Sequence, residues 1–223
     1  MKCLLLSAGR GERLRPLTDK VPKPLVKIAG KAIIEYHLER LKKAGFNEIV
    51  INLSHLGNLI EEHLGDGSNY DLKIEYSQEG DHPLETAGGI IHALPKLGDK
   101  PFLVMNADIW CDHTLSFAKL SNDKLAHLVL IDNPNHNPKG DFAYEFGKIY
   151  TSGKNMLTFS GIGIYHPRLF SSLDIEKRPL APILRNAIDH QRISAEYFSG
   201  NWFDIGTQAR LAEVEKFIAK RSG

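Results

Sequence analysis

The stretch Lys2-Cys3-Leu4-Leu5-Leu6-Ser7-Ala8-Gly9-Arg10-Gly11 joins a short apolar run to a glycine turn. A continuous apolar run of this length predicts a strand over residues 2–7 that is buried on both faces. Two glycines separated by one residue allow a tight turn whose amides can approach a ligand closely. The pattern favours a phosphate-binding loop at the end of the strand, and a solvated basic loop is the alternative.

Strands and helices alternate through the first half of the chain. Apolar runs predict further strands at residues 48–53, 72–76 and 101–105, and helical spacing predicts helices at 33–44, 56–64 and 85–94. Such an alternation is typical of right-handed βαβ units around a mainly parallel sheet. Because ligands bind at the carboxyl ends of parallel strands, the loops after Ser7 and Met105 are the first candidates for a site.

The second half of the chain is richer in strands. The pattern predicts strands at residues 126–131, 142–150, 158–165 and 193–198, with 142–150 and 158–165 antiparallel, and helices at 182–190 and 208–220. We therefore expect an α/β fold with a Rossmann-like, mainly parallel sheet flanked by helices. Residues 1–223 would form a single domain with a small β-rich substrate lobe.

Composition narrows the class of partner. A net charge of +1 gives no overall field that would favour nucleic acid or an anionic membrane, so neither is expected as a partner. The first apolar run is too short for a signal peptide or a membrane span, which predicts a cytoplasmic protein. Cys3 and Cys111 lack metal-ligand spacing and are expected to be buried, reduced thiols. No added assembly domain is recognisable, so we expect a monomer.

The glycine turn does not match two common phosphate-binding patterns. Leu14 stands where the dinucleotide fingerprint requires a third glycine, and the Gly-Lys-Ser/Thr ending of the Walker loop is absent. The loop instead carries Arg10, Arg13 and Arg15, and Lys23 follows between two prolines. Pro24 should push Lys23 towards an extended conformation and present its charge on a stiff segment, which suits a phosphate oxygen.

Two aspartates stand at positions where a metal ion could bind. Asp108 follows the strand predicted at 101–105, and Asp204 lies beside a tight turn that opens the last helix. Carboxylates distant in sequence can hold Mg²⁺ together with substrate phosphates. Each could instead cap the following segment, and the residues alone leave both interpretations open.

Taken together, Gly9-x-Gly11-x-Arg13-Leu14-x-Pro16-Leu17-Thr18 and Pro22-Lys23-Pro24 resemble the signature of the nucleoside-triphosphate:sugar-1-phosphate nucleotidyltransferases. The resemblance extends over essentially the whole chain and implies the nucleotide-diphospho-sugar transferase type of fold. It implies that Arg13 and Lys23 are catalytic and bind the phosphates, and that Mg²⁺ is held by Asp108 and Asp204. The implied nucleotide-binding residues are Ala8, Gly9, Gly11, Glu12, Arg13, Lys23, Gln78 and Thr86.

Later segments resemble one branch of this family, the uridylyltransferases that act on N-acetylmuramate 1-phosphate in cell-wall sugar recycling. These segments are Asp132-Asn133-Pro134, Gly140-Asp141-Phe142 and Thr158-Phe159-Ser160-Gly161-Ile162. The implied partners are UTP and a sugar 1-phosphate, and the implied sugar-binding residues are Glu85, Asn106, Gly140 and Asp141. The segment 84–89 also resembles guanylyltransferases for mannose- or heptose-1-phosphate, which is the alternative.

One position in this part of the chain differs from relatives that act on glucose-type sugars. Phe159 replaces an asparagine that relatives acting on glucose-type sugars usually carry. A muramate carries a lactyl carboxylate, which a nearby cation would bind. The candidate cations are Lys139, Lys154 and Arg185.

Overall fold

The computed structural model describes residues 1–80 and 83–222. The strands are β1 (Cys3–Leu6), β2 (Lys27–Ile28), β3 (Lys31–Ala32), β4 (Glu48–Leu53), β5 (Lys73–Gln78), β6 (Phe102–Asn106), β7 (Ile109–Cys111), β8 (Ala126–Ile131), β9 (Phe142–Glu145), β10 (Lys148–Tyr150), β11 (Met156–Tyr165), β12 (Ile193–Tyr197) and β13 (Trp202–Asp204). The helices are α1 (Ile33–Lys43), α2 (Gly57–Leu64), α3 (Glu85–Leu97), α4 (Ala181–Asp189) and α5 (Gln208–Ser222).

The large sheet has a parallel centre in the order β6-β1-β4-β5. Beyond β6, strands β11, β9 and β10 continue it in antiparallel fashion, and β8 pairs with both β11 and β12. Leu6 at the end of β1 is opposite Asn52 on one side and Asn106 on the other. This register aligns the carboxyl ends of three strands and places the loops that follow them at one edge.

Side chains from alternate positions of β1 enter two separate cores, as expected for a strand covered on both faces. Leu4 packs with the apolar face of α3 and α4, whereas Cys3 and Leu5 pack with α1 and α2. Both faces of this strand are therefore buried, and its sequence is apolar throughout. A third cluster packs α5 against the small β2–β3 hairpin, with Val26, Ile28, Ile33, Ile205, Val214 and Ile218 buried.

The α/β fold predicted from the sequence is confirmed, and the predicted strand over residues 142–150 is wrong in one respect. The segment forms two strands, β9 and β10, joined at Phe146 and Gly147, whose φ angles are +51° and +75°. Phe146 in this turn is apolar but 99% exposed, so the apolar pattern alone suggested one continuous strand. The predicted antiparallel pairing with the next strand is confirmed, since β9 pairs with β11.

The two cysteines are as predicted from the sequence. Cys3 and Cys111 are both free and buried, and burial raises the pKa of Cys111 to about 11. Among the helices of the described residues, none is long and apolar enough to cross a membrane.

Gly88 is a close packing point between α3 and the loop that precedes α4. A Cβ atom added there would overlap the main-chain oxygen of Glu176 and lie 2.8 Å from Cβ of Leu84. We expect Gly88→Ala to lower the free energy of unfolding by about 1–3 kcal/mol, because a main-chain atom cannot move aside as a flexible side chain would. Chemical denaturation measures this change. Lys96→Ala, an exposed site on the same helix, is the control, with a change below about 0.5 kcal/mol; equal stability of Gly88→Ala and wild type would contradict this packing.

Candidate functional site

A cleft opens where β1, β4 and β6 end. Its volume is about 220 Å³, slightly below the roughly 300 Å³ at which typical small-molecule sites begin. It is lined by Leu6, Ser7, Ala8, Gly9, Lys23, Pro24, Asn52, Glu79, Pro83, Glu85, Thr86, Asn106, Ala107 and Asp108. Residues that lie far apart in the sequence therefore meet at the edge that the βαβ pattern predicts for a ligand.

The glycine turn after β1 is closed by hydrogen bonds to Gly11. This glycine has a φ angle of +66°, and its carbonyl accepts hydrogen bonds from the Leu14 N–H and the Thr18 hydroxyl, both at 2.8 Å. An added Cβ would lie 2.9 Å from Cγ2 of Thr18 and 3.3 Å from Cβ of Lys23. A glycine is thus required for both conformation and space, and the turn packs directly against Lys23.

Lys23 lies almost fully buried at the floor of the cleft. It opens a short 3₁₀ turn, Lys23–Leu25, in which the Leu25 N–H donates to the Pro22 carbonyl at 2.8 Å. The prediction that Pro24 would hold Lys23 extended is therefore wrong, because this turn overrides the local preference. The charge is nevertheless fixed in place: Nζ donates to Oδ2 of Asp108 at 2.5 Å, with side-chain exposures of 8% for Lys23 and 39% for Asp108.

Asp108 and Asp204 are brought together by strands too short to be read from the sequence. In the β7–β13 pair, Asp204 is opposite Ile109. The Ile205 N–H donates to the main-chain oxygen of Asp108 at 2.8 Å. Two carboxylates that are nearly a hundred positions apart therefore stand on neighbouring backbones.

Asp204 is surrounded by basic side chains, and Arg13 lies nearby. Its carboxylate pairs with Arg210 from α5, and Nε2 of His136 lies 3.5 Å away. A Cβ atom added to Gly206 would lie 2.7 Å from Oδ2 of Asp204 and 3.0 Å from a guanidinium nitrogen of Arg13. The side chains of Asp204 and Arg13 both pass over Gly206. Arg13, at the end of the glycine loop, therefore extends towards Asp204. Arg210 and His136 were not found from the sequence.

The donor set at Asp108 and Asp204 fits the metal that the sequence predicts. In the described part of the chain, no three His, Cys, Asp or Glu side chains gather into a metal cluster. Mg²⁺ needs no such cluster, since it is commonly held by one or two carboxylates together with substrate phosphates and water. Asp108 opens to the cleft that would receive those phosphates, and both carboxylates already attract cationic side chains. The magnesium assignment stays a prediction.

A buried histidine supports the loop that carries Asp108. Nε2 of His37 lies 3.3 Å from the main-chain oxygen of Ala107, to which it can donate. Burial lowers the pKa of His37 to about 3, so the ring is neutral near pH 7. The helical spacing of the sequence does not reveal this contact.

The residues predicted for the nucleotide are distributed over the cleft and its surroundings. Ala8, Gly9, Lys23 and Thr86 line the cleft. Gln78 lies instead in an adjoining recess with Arg10, Ser54, His55, Leu56, Gly57 and Asn58. Glu12 begins an exposed 3₁₀ turn, and Arg13 extends towards Asp204.

The residues predicted for the sugar form two groups. Glu85 and Asn106 line the cleft, and Asn106 packs over Gly161, where an added Cβ would lie 2.6 Å from its Nδ2. Gly140 and Asp141 lie outside the lining. The Asp141 carboxylate accepts hydrogen bonds from Nδ2 of Asn137 at 3.2 Å and from the Phe159 N–H at 2.8 Å, so it orders the loop after β8.

Comparisons with known proteins show the family of this chain and support its fold. The Nucleotidyl transferase family model matches residues 2–155. The chain is 49% identical to an N-acetylmuramate alpha-1-phosphate uridylyltransferase of Neisseria meningitidis serogroup B, covering 96% of this chain and 97% of the relative. It is 31% identical to a mannose-1-phosphate guanyltransferase of Hypocrea jecorina, covering 92% of this chain and 61% of that relative. A crystal structure of a UDP-glucose pyrophosphorylase complexed with UDP-glucose matches with a TM-score of 0.74 at 20% identity, covering 99% of this chain and 98% of that chain, which supports the fold.

Lys23 is predicted to be the main cationic ligand of a triphosphate in the cleft. We expect Lys23→Met to weaken the binding of a nucleoside triphosphate by about 10- to 100-fold, because one charge-assisted hydrogen bond is lost. Titration calorimetry measures the affinity. Arg15→Met is the matched control: Arg15 belongs to the same loop but is exposed and pairs with Asp19 at 3.1 Å. An equal loss of affinity in both variants would contradict the specific role of Lys23.

Proposed function

We propose that this chain, which belongs to the nucleotidyl transferase family, transfers a uridylyl group from UTP to N-acetylmuramic acid 1-phosphate. The products are UDP-N-acetylmuramate and pyrophosphate, and the reaction would serve cell-wall sugar recycling. The observation that carries the proposal is the similarity to the Neisseria meningitidis uridylyltransferase over nearly the full length of both chains. The cleft at the ends of β1, β4 and β6 provides the place where two phosphorylated substrates can meet.

The reaction is a displacement at the α-phosphorus of UTP. A phosphate oxygen of the sugar phosphate forms a bond to that phosphorus while the bond to the bridging oxygen of the β-phosphate breaks. Pyrophosphate leaves with the electron pair. Because the attacking oxygen is already anionic, no general base is required, and catalysis depends on positioning and on neutralising charge.

Residues that line the cleft, together with Arg13 and Asp204 outside its lining, would supply these two effects. Lys23, held against Asp108, places a positive charge where the phosphates would react. Arg13 extends from the glycine loop towards Asp204 and would bind the triphosphate. Mg²⁺ held by Asp108 and Asp204 would neutralise phosphate charge further.

The guanylyltransferase alternative is less well supported, because the relative with that activity is more distant. The chain is 31% identical to the mannose-1-phosphate guanyltransferase of Hypocrea jecorina and 49% identical to the uridylyltransferase of Neisseria meningitidis.

The lactyl carboxylate of the muramate needs a cation at the sugar end. Arg185 donates to the main-chain oxygens of Thr151 and Asp141, each at 3.2 Å, and its guanidinium lies over the ring of Phe142. Through these contacts Arg185 joins α4 to the neighbouring strands and loops, which is a structural role. Lys139 and Lys154 are exposed and are the better candidates to select the muramate.

A pyrophosphate-release screen with Mg²⁺ tests the substrates directly. UTP and N-acetylmuramate 1-phosphate are expected to give the highest kcat/KM, with GTP and N-acetylglucosamine 1-phosphate each at least about tenfold lower, as expected for one lost ionic or hydrogen-bonded contact. Asp108→Asn removes one of the two proposed metal ligands and should lower the rate by at least about 100-fold.

Two results of this screen would contradict the proposal. Equal turnover of both amino-sugar phosphates would contradict the proposed preference for N-acetylmuramate 1-phosphate. Full activity of Asp108→Asn would contradict the proposed role of Asp108 in the reaction.

A further inference from the structure

Asn52 is a buried polar side chain in the middle of the parallel sheet. It lies in β4, where the preceding residues Ile49, Val50 and Ile51 are apolar and buried, and it is itself only 3% exposed. The register places it between Leu6 of β1 and Ser77 of β5, at the carboxyl ends of all three strands. A buried amide at this place needs partners on both its donor and its acceptor side.

Both sides of the Asn52 amide are used. Its Oδ1 accepts a hydrogen bond from the Ser7 N–H at 2.6 Å, at the start of the glycine loop. Its Nδ2 donates to Oε1 of Glu79 at 2.5 Å, and Oε2 of Glu79 accepts from the Leu84 N–H at 2.8 Å. A continuous chain of hydrogen bonds therefore joins Ser7 to Leu84 across β4 and β5.

Gly89 leaves room for this series of hydrogen bonds. A Cβ atom added there would overlap Oε1 of Glu79 and lie 2.9 Å from Nδ2 of Asn52. Helix α3 thus packs directly against the Asn52–Glu79 pair. The pair fixes the position of the segment that enters this helix, in which Pro83, Glu85 and Thr86 face the cleft.

We propose that Asn52 is a positioning residue that sets the distance between the two halves of the nucleotide site. One half is the loop that begins at Ser7 and receives the triphosphate. The other is the segment from Leu84 to Thr86, which faces the rest of the nucleotide. The inference rests on the proposed function only in taking the cleft as a nucleotide site, and it is independent of which sugar is used.

The direction of the hydrogen bond between residues 52 and 79 can be reversed without losing any hydrogen bond of the series. This reversal gives a sharp test. In Asn52→Asp, two carboxylates face each other and the donor to Glu79 is lost. In the double variant Asn52→Asp/Glu79→Gln, the new carboxylate accepts from Ser7 and from the amide of residue 79, whose oxygen accepts from Leu84. The double variant also has the same net charge as the wild type.

UTP affinity by calorimetry, with kcat and KM alongside, is the measurement. We expect Asn52→Asp to weaken UTP binding by about 10- to 100-fold at pH 8, and the double variant to return to within about threefold of wild type. The Ser77→Ala variant is the control, because it removes a partly buried hydrogen bond to His92 that joins β5 to α3 outside the cleft. It should change thermal stability but not UTP affinity.

The pH dependence of the single variant separates positioning from general destabilisation. Two facing carboxylates share a proton, so one pKa is raised, and the bridge of Asn52→Asp re-forms below that pKa and is lost as the pH rises through it. The loss of UTP affinity in Asn52→Asp relative to wild type should therefore become smaller as the pH is lowered from 8 to 6. The double variant should show no such trend. Other titratable side chains that line the cleft, namely Lys23, Glu85 and Asp108, are common to all variants and cancel in the ratio.

The possible outcomes are distinguishable. A double variant no better than Asn52→Asp, or an Asn52→Asp variant with wild-type affinity, would overturn the positioning role while leaving the proposed function intact. An unfolded Asn52→Asp variant, detected by circular dichroism, together with a folded double variant of wild-type affinity would support it. A wild-type protein that binds no UTP would overturn both.

Discussion

The pairing of β1 with β4 on one side and β6 on the other is the constraint on which the site depends. Its register sets Leu6 opposite both Asn52 and Asn106, so three strands end at the same level. The apolar side chains of β1 enter cores on both faces of the sheet, and a shift by one residue would exchange the two faces. Because that exchange is costly, the glycine loop, the Asn52 amide and the Asp108 loop are held in fixed relation before any ligand arrives.

Charged side chains at this edge of the sheet make it suitable for binding phosphates. Lys23 is buried against Asp108, Arg210 pairs with Asp204, and Arg13 passes over the neighbouring Gly206. Each carboxylate is paired with a cation, so charge is balanced locally in a cleft that would receive the strongly anionic UTP. Mg²⁺ and phosphates that bind together would preserve that balance, because Asp108 and Asp204 would hold the metal and the cationic side chains would bind the phosphates.

The sequence predicted the parts of this arrangement that depend on local pattern. The apolar period marked the strands, the glycines marked the turn, and Asp108 followed from its place after a strand. Strands β7 and β13 are three residues each, too short for a periodic signal, so the closeness of Asp108 and Asp204 was not derivable from spacing. The Lys23 turn was missed because contacts with Gly11 and Asp108 outweigh the local effect of Pro24. Asn52 did leave a signal: an amide within an apolar strand predicts a buried hydrogen-bonding partner, whereas Arg210 on an amphipathic helix left none.

The central claim is that nucleotide and metal meet at the carboxyl edge of β1, β4 and β6. A crystal structure of the protein with UTP and Mn²⁺, with anomalous diffraction data collected to locate the metal, tests it most directly. The account predicts the triphosphate against the glycine loop and Lys23, the uracil against the segment at Thr86, and an anomalous peak bound by Asp108 and Asp204. A nucleotide seated outside this cleft, or manganese bound away from both aspartates, would contradict it.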